Sequence, residues 1–110
     1  MWVFHFPKES ILIYNFDWDP EKAKQNLRSH KIAIERATDV FLDPLAVTIY
    51  DEDRSIDEER WITMGCDKKG VILVVIHTFK VQSRNKKDIR IISARKATKN
   101  EIKQYEGEAL

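Results

Sequence analysis

The chain of 110 residues is poor in most features that define specialised classes. A single cysteine, Cys66, excludes an intramolecular disulfide framework and points to a reducing compartment. Only 3 glycines and 3 prolines stand against 43% hydrophobic residues, which excludes collagenous, low-complexity and disordered chains. The three histidines, His5, His30 and His77, lie far apart, and there is no Cys-x-x-Cys pair, so no metal-ligand spacing exists. A glycine-rich phosphate loop and a Gly-x-Ser-x-Gly elbow are missing too. The longest apolar run, Val71 to Ile76, is far below the ~20 residues that cross a bilayer. The opening stretch Met1 to Phe6 is cut short by Pro7-Lys8-Glu9-Ser10 and makes no signal peptide. The expectation is a cytoplasmic protein without membrane contact, cofactor or metal.

Net charge is nearly absent as well, at +1. It hides a split, because residues 1–66 sum to −5 and residues 67–110 to +6. Such asymmetry favours a charged partner. The length suits one domain burying about two-thirds of its unfolded surface.

What is present reads as alternating element types. Ile11 to Phe16 is rich in β-branched and aromatic residues and predicts a strand. Residues 1–15 are expected to be an extension or edge strand, and 16–110 a single domain. Asp19-Pro20-Glu21 is a helix start, with Ala23, Leu27 and His30 on one face and Asn26 beside it. A second helix is expected over Ala33 to Leu42, stopped by Asp43-Pro44. Val47 to Tyr50 and Arg60 to Cys66 predict strands around a loop, Asp51 to Glu59, with six acids and one base. Asp67 to Gly70 is a tight turn. Val71 to Phe79 is apolar on both faces and predicts a central strand, Lys80 to Asp88 a basic connection, and Ile89 to Arg95 the last strand. Thr98 and Glu101 form a capping box for a final helix with Ile102, Tyr105 and Ala109 inward. The class is α+β: a single antiparallel sheet, a helical hairpin and a C-terminal helix.

The last strand carries the most chemistry. Arg90 and Arg95 are costly in an apolar strand unless paired. One reading pairs Arg90 with an acid of the sheet or helical hairpin and lets Arg95 end the strand. The other gives the guanidinium groups to phosphate, which their fork geometry suits. Their five-residue spacing places them on opposite faces of a regular strand, so a shared site requires a bend. Arg84, Lys86, Lys87 and Lys96, with Phe79 and Tyr105 nearby, are candidates for RNA contact, or else a solvated surface. His30 on a helix face and His77 on the central strand are packing or acid–base candidates.

Several segments together carry a family resemblance. Phe16-Asp17-Trp18-Asp19-Pro20-Glu21-Lys22-Ala23 with Asn26, Leu27 and His30, then Val40-Phe41-Leu42-Asp43-Pro44, resemble the opening of the BrnT toxins. Glu58-Glu59-Arg60-Trp61-Ile62-Thr63-Met64-Gly65 and Arg90-Ile91-Ile92-Ser93-Ala94-Arg95-Lys96-Ala97-Thr98, with Glu101 and Tyr105, resemble its later signatures. Lys31 stands where the family usually has glycine, so the inter-helix turn is expected to differ. The resemblance implies a RelE-like fold and a type II toxin that cleaves RNA, blocks translation and is held by a cognate antitoxin in a hetero-oligomer. Metal-free cleavage then requires phosphate stabilisation, with Arg60, Arg90 and Arg95 as candidates. Proton transfer falls to His77, His30 or Glu59, with Tyr105 behind them. The alternative is a non-catalytic RNA-binding or regulatory module of the same fold.

Overall fold

Residues 13–107 are described by the structure, a computed structural model. Residues 1–12 of the expected extension, and Ala109 of the last helix, lie outside them. Strand β1 (Ile13–Asp17) leads to α1 (Pro20–His30), whose first turn is held by the Asp19 carboxylate accepting from the Glu21 N–H at 2.8 Å. α1 ends at Lys31, which takes the left-handed conformation with φ 60° and donates its N–H to Leu27 O. The turn therefore keeps the geometry that glycine usually serves, although a lysine occupies it.

The single helix expected over Ala33 to Leu42 is divided. α2 covers Ile34–Ala37, and a 3₁₀ helix follows over Thr38–Leu42. The Thr38 hydroxyl donates back to Glu35 O at 2.8 Å, a side-chain alternative that tightens the chain where the α-helix stops.

Strands β2 (Val47–Tyr50), β3 (Trp61–Cys66), β4 (Ile72–Ser83) and β5 (Lys86–Lys96) precede α3 (Lys99–Tyr105). The five strands lie in the order β1-β5-β4-β3-β2. β2 to β5 pair antiparallel, as expected for the α+β class, whereas β1 lies parallel to β5 and makes the sheet mixed. A parallel neighbour needs a long connection, and the helices and three strands between β1 and β5 supply it. The expected basic connection over Lys80 to Asp88 is a hairpin instead. β4 runs on to Ser83, the chain turns at Arg84 and Asn85, and β5 starts at Lys86. Asp88 binds this extension together, accepting from Asn15 of β1 at 3.0 Å and from Gln82 of β4.

The core lies between one sheet face and the helical hairpin. Ile32, Ile34, Ala37 and Val40 meet Leu73, Val75, Ile89, Ile91 and Ala94, all essentially inaccessible. Gly65 of β3 allows the 3₁₀ helix to press close, since a Cβ there would stand 2.9 Å from Val40 Cβ.

One polar group is built into this core. Asn26 is buried, and its amide donates to Ile32 O at 2.9 Å and Ala94 O at 2.8 Å, while its Oδ1 accepts from the Ala94 N–H at 3.0 Å. β1 stops beside β5 at Arg90, so Ala94 has no strand on that side. The Asn26 carboxamide replaces the missing strand. Asn26→Ala leaves three buried backbone groups without partners and should cost about 3 kcal/mol. Urea unfolding should read this as a lower midpoint with an unchanged slope.

Candidate functional site

A β-bulge decides which side chains share a face. Opposite Ile76 lies Ser93, but opposite His77 lies Ile91, so Ile92 is an extra residue in β5. Thr78 then faces Arg90 and Val74 faces Arg95. Thr78 and Val74 point the same way along β4, so both arginines lie on that face. It is the face away from the helical hairpin. The bend that the spacing required is this single inserted residue.

At the lower end of this open face is a cleft of about 600 Å³, bordered by Asp17, Glu58, Glu59, Thr78, Lys80 and Arg90. Arg90 is half exposed and pairs with Asp17 at 3.2 Å, the ion pair with a sheet acid that one reading of the strand anticipated. Arg60 directly precedes β3 and continues its alternation onto the same face as Ile62. Its Nη2 lies 3.7 Å from the Glu58 carboxylate, and its buried Nε has no hydrogen-bond partner among the described residues. The cleft thus combines cations with carboxylates from the acidic loop. Asp88 also borders it, its carboxyl held below the ordinary range by hydrogen bonds from Asn15 and Gln82.

Arg95 lies further up and is bound differently. It makes a bidentate pair with Glu101 of α3, at 2.8 and 2.9 Å. The Arg95 hydrogen bonds draw the Glu101 carboxyl down to about 2. Glu101 also closes the expected capping box with Thr98. Tyr105 donates to the Asp43 carboxylate, and that bond pushes its hydroxyl up to about 12. Both contacts fasten α3 to the sheet and the 3₁₀ helix. Beside the Arg95–Glu101 pair runs a groove of about 230 Å³ lined by Val47, Ile49, Ile62 and Ile76, with Arg54 and Arg95 at its side.

The two described histidines, His30 and His77, stand apart from these arginines. His77 is 2% exposed and faces the helical side. Its Nδ1 lies 3.0 Å from Thr78 O, and a carbonyl only accepts, so Nδ1 carries the proton. Burial holds the ring neutral and its pKa below the ordinary value. Nε2 therefore accepts from the Thr63 hydroxyl at 2.7 Å, and Thr63 Oγ1 accepts from Thr48 at 2.8 Å. His30 ends α1, exposed, where its ring suits the negative end of the helix dipole.

The basic candidates divide in the same manner. Arg84, Lys86 and Lys87 come together on the β4–β5 hairpin, while Lys96 ends β5 at its far end. Of the residues singled out from sequence, the open-face cleft unites Glu59 and Arg90, with Arg60 beside them. Sequence reasoning placed Lys80 in the basic surface around the last strand but did not name Asp17 as the acid that pairs with Arg90, or Glu58 as a neighbour. The hairpin register places Lys80 opposite Asp88. Among the described residues no group of three His, Cys, Asp or Glu side chains is placed to hold a metal ion. No described helix is long and apolar enough to cross a membrane.

Residues 18–101 match the family described as ribonuclease toxin, BrnT, of type II toxin-antitoxin system. Among solved structures, the ribonuclease toxin BrnT of Brucella abortus superposes with a TM-score of 0.56 at 22% identity. That match covers 79% of this chain and 99% of the Brucella chain, and supports the fold. No protein of curated function matches this sequence.

The Arg95–Glu101 pair makes stability depend on acid. The folded carboxyl titrates near 2 and the free group near 4.5. Its contribution is therefore complete above the free value and is lost as pH falls towards the folded one. Since the arginine is partly exposed, the loss should be on the order of 1 kcal/mol. Glu101→Gln should remove about that much of the fall in unfolding free energy between about pH 5 and 2, as read by urea unfolding.

Proposed function

Since the chain belongs to the BrnT family of ribonuclease toxins of type II toxin–antitoxin systems, we propose that it cleaves RNA in the open-face cleft around Arg90, without a metal ion. The observation that carries this reading is that one cleft is bordered by both an accessible guanidinium, that of Arg90, and an acidic side chain, that of Glu59. Metal-free cleavage asks for these two kinds of group. The 2′-hydroxyl gives its proton to a carboxylate and attacks the adjacent phosphorus. The bond to the 5′-oxygen breaks, leaving a 2′,3′-cyclic phosphate and a 5′-hydroxyl. Charge accumulates on the phosphate oxygens as this happens, and fixed guanidinium donors stabilise it.

In this assignment Arg90 and Arg60 bind the phosphate and Glu59 accepts the 2′ proton. Lys80, bordering the same cleft, protonates the leaving oxygen, because guanidinium groups do not release protons. Asp17 positions Arg90. Arg95 is a positioning residue for α3, and His77 serves the other face. Arg84, Lys86 and Lys87 hold the RNA backbone on the hairpin. Damage to translated RNA then blocks translation.

The type II family implies an antitoxin protein as partner. Exposed Val47 and Ile49 of β2 offer it an apolar surface with Arg54 and Arg95 alongside, suited to a toxin–antitoxin hetero-oligomer in the cytoplasm.

Induced expression tests the reading. The wild type should arrest growth and degrade cellular RNA. Arg90→Ala removes one exposed donor and should lower cleavage roughly 10²-fold with little change in melting temperature. An Arg90→Ala protein as toxic as the wild type would reject this placement of the site.

A further inference from the structure

On the helical face, back to back with the Arg90 cleft, lies a second cleft of about 300 Å³. Its walls are aromatic: Tyr14, Phe41, Trp61 and Phe79. Tyr14 and Phe41 have ring centroids 6.1 Å apart, and Phe41 meets the His77 ring edge-on at 4.9 Å. Phe79 is 38% exposed, so this is an accessible surface rather than closed core. At the rim, Lys87 Nζ lies 5.4 Å from the Phe79 ring centroid.

The floor is polar and directional. The chain from Thr78 O through His77 and Thr63 ends at Thr48, with each hydroxyl proton already donated inward. Thr48 is exposed, so the lone pairs left on its Oγ1 form an outward acceptor, and Lys87 supplies a donor at the rim. Aromatic walls, one acceptor and one cation at the base of a basic hairpin match a flat heterocycle attached to a phosphate.

The two clefts also share Phe79 and Ile89 among their lining residues. β4 loses its β3 neighbour after His77, so the sheet edge is open at Phe79. A single strand can turn around that edge from one face to the other. We propose that the aromatic cleft takes one unstacked nucleobase of the RNA, next to the nucleotide held at Arg90. The proposal rests on the ribonuclease reading and names a base subsite for it. The residues are Phe79, Trp61 and Tyr14 for stacking and Thr48 for the base edge, with Lys87 at the rim on the attached phosphate.

An abasic scan tests it with the intact protein. Cleavage of a short single-stranded RNA is measured with each base in turn replaced by an abasic ribonucleotide. The wild type should show one position, adjacent to the cut, where base loss lowers kcat/KM by roughly 5- to 150-fold, mainly through KM. Phe79→Ala should show the same loss on intact RNA and little further loss at that position. Thr48→Val, at an exposed site, should change which base is preferred there, read as the ratio of kcat/KM between RNAs that differ only at that base, and it covers the case in which Phe79→Ala does not fold. Uniform abasic effects in an active wild type, or unchanged base dependence in both variants, would overturn the subsite alone. A wild type that cleaves no RNA would overturn the ribonuclease reading beneath it.

Discussion

The carboxamide of Asn26 is the contact on which the rest of the molecule depends. β5 carries the arginines, but its outer neighbour β1 ends at Arg90. Beyond that point a buried strand would have an unpaired edge, which costs free energy wherever water cannot reach. Asn26 reaches from α1 and pairs with both backbone groups of Ala94 as a peptide would. Its third bond, to Ile32 O, ties the inter-helix turn to the same point. One side chain therefore ties the helical hairpin to the upper half of β5.

With β5 held there, the bulge at Ile92 can reset the strand without opening it. The result is a division of labour between the faces of one sheet. The open face gathers guanidinium groups with carboxylates, as proton transfer at a phosphate requires. The helical face keeps a neutral histidine and hydroxyls beneath aromatic walls, an environment for flat uncharged groups. The acidic loop does not form a pole opposite the basic half. Its Glu58 and Glu59 sit in the Arg90 cleft, so the charge split along the chain becomes a juxtaposition in space.

Much of this order was legible in the residues. The capping signals at Asp19 and Thr98 mark helix starts because the donor needs are local. The apolar run around Val74 and Val75 marks the central strand, and both of these side chains are buried. What escaped depends on distant partners. The parallel placement of β1 arises from side chains such as Phe16 packing beside Phe41, and no local rule specifies it. Val81 and Gln82 read as connection because their strand pairing depends on Asp88 and Asn15. The bulge escaped for the same reason: Ile92 differs from its neighbours only in its register against β4. Two arginines that alternation assigns to opposite faces thereby meet on one. His77 read from sequence as either a packing or an acid–base residue, and its hydrogen bonds to Thr78 and Thr63 belong to a neutral, inward-facing ring.

The central claim is that guanidinium and carboxylate groups of the open face carry the cleavage themselves. End-group analysis of RNA cut by the purified protein in excess chelator tests it most directly. The account predicts undiminished cleavage, with a 2′,3′-cyclic phosphate on one fragment and a 5′-hydroxyl on the other. Cleavage that stops with chelator, or fragments ending in 3′-hydroxyl and 5′-phosphate, would contradict it.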